Sequence, residues 1–90
     1  MTIFIDAPEW PGHGRLWSHL ISDTSFAELH GFAERAGLPR TAFDHDHYDV
    51  PQERFADCLA AGAQQRRSRE LIVLLNQAGL RRRKRSRLAR

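Results

Sequence analysis

RLWSHLISDTSFAELHGFAERAGLP, residues 15–39, decides the fold, because its two halves follow different periods. Arg15 to Ser22 reads as a strand. Leu16 and Leu20 face one side, and Trp17, His19 and Ile21 face the other. Apolar residues on both faces predict a central strand covered on each side. From Ser25 the period changes. Ser25 and Glu28 form an S-x-x-E capping box. Phe26, Leu29, Phe32, Ala33 and Ala36 then recur at helical spacing. Gly37 ends the helix, Leu38 can pack back on it, and Pro39 forbids continuation. The spacing predicts a helix over 26–36.

The rest of the chain is placed around this unit. Thr2 to Ile5 reads as a first strand, closed by Asp6 and Pro8. Residues 7–14, APEWPGHG, carry two prolines and two glycines and read as a loop. Within it, Gly12-His13-Gly14 reads either as a tight turn or as a nest of amides for an anion. In FDHDHYDV, residues 43–50, Phe43 and Tyr48-Asp49-Val50 read as a short third strand. A second helix is expected over 51–61, with Pro51 in its first turn and Phe55, Cys58 and Leu59 as its stripe. A third is expected over 69–78, with Ser68 as N-cap and Leu71, Leu74, Leu75 and Ala78 as its stripe. The run Leu71 to Leu75 also fits a buried strand, and periodicity alone does not separate the two. Gly37, Gly62 and Gly79 each follow a proposed helix, as left-handed caps do. The predicted order is β-β-α-β-α-α: one small α/β domain over residues 1–80 with a basic tail over 81–90. If the second and third strands are parallel neighbours, the first helix is a right-handed crossover.

Ninety residues are enough for one modest core. Cys58 is the single cysteine, so no disulfide forms within the chain, which fits a reducing compartment. Its helical setting, beside Asp57, reads as structural. The longest apolar run, Leu71 to Leu75, is far short of the ~20 residues of a membrane span. These features predict a soluble, cytoplasmic protein without a membrane partner.

The polar groups that can carry chemistry cluster at element ends. Asp6 follows the first strand, Arg15 opens the second and His19 lies within it. His47 and Asp49 end the third. Ligands of open α/β sheets bind outside such strand ends. Asp6, His19, His47 and Asp49 are therefore the catalytic candidates, and Arg15, Trp17 and Tyr48 the candidates for holding a ligand or anion. Each has a plainer role. Asp49 can cap the second helix, Asp6 can close a turn, His19 can be a buried, bonded histidine, Tyr48 can be core, and Arg15 can pair with an acid. Ser18 and His19 point to opposite faces and cannot form a nucleophile–base pair. His13 and His30 show no ligand spacing.

His45-x-His47-x-Asp49 is spaced like strand ligands for zinc. The run resembles the H-x-H-x-D-H motif of metallo-β-lactamase-fold hydrolases, but Val50 stands where the last histidine belongs, and the chain is too short for that fold. No metal is assigned here and no cofactor is legible. His45 and its flanking aspartates are expected to be solvated.

The charge is divided. Residues 1–80 hold seven basic and eleven acidic side chains, a net −4, while RRRKRSRLAR at 81–90 holds seven basic and none acidic. Arg81, Arg82, Arg83, Lys84, Arg85, Arg87 and Arg90 repel one another, so the run is expected to be disordered when free. It is an electrostatic footprint for nucleic-acid phosphates. It lacks interleaved aromatics for base stacking.

Trp10 with Gly14-Arg15-Leu16-Trp17-Ser18-His19-Leu20, then His47-Tyr48-Asp49 before a helix, then Gly62-Ala63 followed by Arg69-Glu70-Leu71, resembles the short bacterial and phage proteins classed as domain of unknown function 4031. The resemblance spans about residues 2–75 and carries no activity with it. Members usually have Ser or Thr ahead of the proline of the second helix. Val50 stands there in this chain, which shifts capping toward Asp49. Two functions follow from the residues. One is nucleic-acid association through the tail, with a polar ligand cleft in the domain. The other is a small enzyme acting on a phosphate ester or other anion, with Arg15 as clamp, His19 or His47 as general acid or base, and Asp6 or Asp49 to orient the histidine or hold a metal. A homo-oligomer using Trp10 and Trp17 is a third possibility.

Overall fold

The computed structural model describes residues 1–82; Arg83, Lys84, Arg85, Arg87 and Arg90 of the basic run lie outside the described residues. Its elements are β1 (Ile3–Ile5), β2 (Trp10–Gly12), β3 (Arg15–Ser22), α1 (Phe26–Arg35), β4 (Phe43–Asp44), β5 (His47–Pro51), α2 (Phe55–Ala60), β6 (Gln64–Gln65) and α3 (Ser68–Ala78). Single 3-10 turns precede β4 and α2. This is the expected small α/β domain, with more strands than its three principal ones. Leu71 to Leu75 is helical.

β3 is the spine of the sheet, whose order is β4-β5-β3-β1-β6. One edge of β3 is shared by β1 along Leu20 to Ser22 and by β2 along Arg15 to Trp17. The other edge pairs with β5. β6 joins β1 as the parallel pair. Both faces of β3 are covered, as its sequence predicts, at its Leu20–Ser22 end; at its start Leu16 stays exposed and Trp17 half-buried. Leu20 packs with Ile5, Leu29, Phe32, Tyr48 and Val50 under α1 and α2. Ile21 packs with Phe4, Leu71 and Leu75 under α3. Burying each of these large side chains stabilises the fold by about 1.5–3 kcal/mol.

α1 begins as its capping box implies: Ser25 Oγ accepts the Glu28 amide at 3.0 Å. The Glu28 carboxylate closes on the Ser22 hydroxyl instead of its own cap. The three capping glycines all have positive φ. The turn between β2 and β3 puts both His13 (φ 51°) and Gly14 (φ 76°) in the left-handed region, the type I′ pattern of a tight hairpin. The turn reading of Gly12-His13-Gly14 therefore holds.

Five local readings are corrected. Residues 7–14 are not all loop, because Trp10–Gly12 pairs with β3 as an edge strand, where a proline is tolerated. β3 and β5 are antiparallel, so α1 is not a crossover between parallel strands. Pro51 ends β5, and after a 3-10 turn α2 starts only at Phe55. Asp49 is a strand residue and caps nothing; neither the 3-10 turn nor α2 has a side-chain cap. Ser68 is the first helical residue of α3 and Arg67 its N-cap; Glu70 accepts from the Arg67 amide at 3.3 Å.

Among the described residues, no helix is long and apolar enough to cross a membrane.

Candidate functional site

Strand alternation sets the site. Trp17, His19 and Ile21 share the α3 face of β3. Cross-strand pairing adds Trp10 opposite Trp17 and Asp49 opposite His19. His47, two residues from Asp49, shares that face. α3 is short, and Leu71 and Leu75 cover only the Ile21 end. The His19 end is left open.

Asp6 is the first hub. Its side chain is 1% exposed. Its Oδ1 accepts the His19 amide at 2.6 Å, and its Oδ2 faces His19 Nδ1 at 2.8 Å. Oδ2 also accepts the Ser68 hydroxyl at 2.6 Å and Trp10 Nε1 at 3.2 Å. A buried carboxylate is tolerated only when its lone pairs are so filled. Burial pushes the Asp6 carboxyl up, but the bonds from His19 and Ser68 outweigh it and hold the group below its ordinary value.

Asp46 is the second hub and repeats the arrangement. It is also 1% exposed. Oδ1 meets His47 Nδ1 at 2.8 Å. Oδ2 accepts the Arg82 amide at 2.8 Å and Arg81 Nη1 at 3.1 Å. Against the push of burial, these bonds lower its pKa too. His47 Nε2 lies 3.1 Å from Asp49 Oδ1. Burial disfavours the charged imidazole, yet the Asp49 and Asp46 carboxylates outweigh it and raise the His47 pKa.

The two imidazoles meet at the centre. Their centroids are 5.0 Å apart with planes at 74°. Trp10 closes on His19 from the other side at 5.1 Å. His19, His47 and Asp49 each offer a ligand-type atom, and those atoms lie within 4.8 Å of one another. Two pockets meet at His19 and Trp10. One, about 430 Å³, runs beneath α3 past Asp6, His47, Ser68, Arg69 and Arg81. The other, about 580 Å³, runs past Trp17, Leu38, Asp49, Pro51 and Arg54.

Of the residues singled out from sequence, Asp6, His19, His47 and Asp49 converge, and Trp17 lines the second pocket. Two do not join them. Arg15 is exposed and pairs with Glu53 at 2.9 Å, its plainer role. Tyr48 points to the opposite face, buried in the core with its hydroxyl 2.7 Å from His30 Nδ1. His45 also stands apart, in a left-handed turn (φ 64°) with its ring on Asp44. Asp46 is not solvated as expected but buried. Sequence reasoning missed it, together with the site roles of Trp10, Ser68 and Arg81. A usable signal was the two-residue spacing Asp44-His45-Asp46-His47, which is that of a hairpin turn with one residue turned inward.

No curated protein and no solved structure matches the sequence. The family model described as "Protein of unknown function (DUF4031)" matches residues 3–78, a span that holds Asp6, His19, Asp46, His47, Asp49 and Ser68, and the chain belongs to that family.

Proposed function

We propose that the cleft on the α3 side of the sheet is a hydrolytic site for a phosphate ester, with His19 and His47 as its working groups. Asp6 and Asp46 position them. The observation that supports this reading is the pair of imidazoles. Each has Nδ1 on a buried carboxylate, and together they stand where two open pockets join. An imidazole held this way keeps one orientation; His19 presents its other nitrogen to the cleft, and His47 turns its own toward Asp49. In the reaction, water adds to phosphorus and the ester P–O bond breaks. The proton of the water is taken up in the cleft, and the leaving alcohol receives one. The clamp role first given to Arg15 passes to Arg69 and Arg81 in one pocket and Arg54 in the other, since guanidinium suits phosphate oxygens.

A screen of phosphomonoesters and phosphodiesters with tag-free protein tests this. Turnover is expected, reduced about a hundredfold or more in His19→Ala and in His47→Ala. Turnover that persists in the double variant, or none with any ester, counts against it.

Nucleic-acid association is the second reading. Its support is that Arg81 and Arg82, which open the basic run, are held at the cleft by Asp46. A phosphodiester chain bound by the run would thus lie beside the histidines. Filter binding of DNA and RNA at low and moderate salt, with the full chain and with a chain ending at Arg82, tests it. Steeply salt-dependent binding by the full chain alone is expected. Equal weak binding by both removes the tail from the account.

A further inference from the structure

We propose that His19, His47 and Asp49 together bind one divalent transition-metal ion of the zinc class, with Asp6 and Asp46 holding the two imidazoles in place. This rests on the reading of the cleft as hydrolytic and names what activates the water there.

The geometry carries it in three steps. The three donor atoms already lie within 4.8 Å of one another. Zinc–nitrogen bonds of about 2.0–2.1 Å set tetrahedral donors roughly 3.3 Å apart, so small side-chain rotations close the set. All three side chains keep some exposure, at 31%, 20% and 41% for His19, His47 and Asp49, so they have room to turn.

The second step is independent of the first. Both Nδ1 atoms are engaged by carboxylates that are themselves 1% exposed. That leaves Nε2 as the ligand nitrogen of each ring: on His19 it is the nitrogen not engaged by Asp6, and on His47 it already faces Asp49 Oδ1, the third ligand, at 3.1 Å. Metal-bound histidines almost always carry such a carboxylate, carbonyl or water on their other nitrogen. Here the support is built twice, from separate parts of the chain: Asp6 after β1 and Asp46 in the β4–β5 turn.

The third step is charge and chemistry. Asp6, Asp46 and Asp49 bring three formal negative charges, and among the described residues the arginine side chain bonded to this set is Arg81, on Asp46. A divalent ion balances the remainder. Two imidazoles and one carboxylate suit zinc, iron, nickel or copper rather than magnesium or calcium, which prefer oxygen. Three protein ligands on an open face leave a position for water, the arrangement of catalytic rather than structural zinc. The set is not the His45-x-His47-x-Asp49 run of one strand. Its first histidine comes from the neighbouring strand, through the His19–Asp49 pair.

The test uses full-length, tag-free protein freed of metal with a chelator. Zinc(II) is followed by calorimetry and cobalt(II) by its visible absorption. One equivalent of each is expected to bind, with intense cobalt bands of low coordination number, and magnesium or calcium is not expected to compete. His19→Gln, His47→Gln and Asp49→Asn should each abolish the cobalt spectrum while circular dichroism remains native. Asp6→Asn and Asp46→Asn should weaken binding by about 10–100-fold without removing it. His45→Gln should change nothing. Absence of binding to the wild-type chain, or binding retained by a folded His19→Gln/His47→Gln protein, overturns the proposal. Phosphate-ester turnover that survives the chelator overturns the metal alone. Metal binding with no turnover on any ester overturns the hydrolytic reading and leaves the metal site standing.

Discussion

Ser18 sits on the core face of β3, fully buried, and its Oγ has no hydrogen-bond partner among the described residues. An unsatisfied buried hydroxyl costs about 1–3 kcal/mol. Ser18→Ala is expected to raise stability by about 1 kcal/mol, seen as a higher urea midpoint at unchanged slope. A lower midpoint would mean that the hydroxyl has a partner after all. Cys58 is buried in the same core. Burial first, and the Asp57 carboxylate second, push its thiol up to about 11. The thiolate is the reactive form, so a disulfide reagent should leave native protein unlabelled near neutral pH and label it at once in denaturant. Native labelling should rise only as pH climbs toward that value. Rapid native labelling near neutrality would contradict the burial. The structural role read for this cysteine from its helical position agrees with that environment.

α3 shows what an element's end contributes. Gly79 closes it at φ 73°, and a Cβ there would meet nothing within 4 Å. Gly79→Ala should therefore cost about 1 kcal/mol through backbone conformation alone, read as a lower thermal midpoint with the same ellipticity. A loss several times larger would point to a lost contact instead. α1 was legible because a period of 3.6 runs long in it, from Phe26 to Ala36, and the spine because apolar residues lie on both faces between Arg15 and Ser22. The five-residue run Leu71 to Leu75 fitted helix and strand alike, and Pro51 drew the start of α2 four residues too early. β2 and β6 were not: three residues containing Pro11, and the pair Gln64-Gln65, are too short to show a period. Within the site, Asp6, His19, His47 and Asp49 were legible as polar groups on or just after strands, although His47 and Asp49 do not end their strand as expected: His47 opens β5 and Asp49 lies inside it. Asp46 was hidden because its burial depends on Arg81 and Arg82, 35 and 36 residues further on. Ser68 looked like a cap because its type and position suit one. Its hydroxyl is spent on Asp6, which lies 62 residues away.

Across the whole molecule, the second hub depends on the segment after α3. A chain ending at Leu80 loses the Arg81 guanidinium and the Arg82 amide, so Asp46 keeps only His47 as a side-chain partner. Leaving such a carboxylate underbonded costs about 1–3 kcal/mol or more. The shortened chain should unfold at lower urea than the chain ending at Arg82, and Arg81→Ala should fall between them. Equal midpoints for all three would show that water replaces both bonds at no cost. The contributors to the cleft also have an order in time. β1 and β3 leave the ribosome early, the β4–β5 hairpin at mid-chain, Ser68 later, and Arg81 and Arg82 last among the described residues. During synthesis the sheet can pair well before either carboxylate has its full set of partners. Asp6 waits for Ser68, and Asp46 waits for the residues beyond α3.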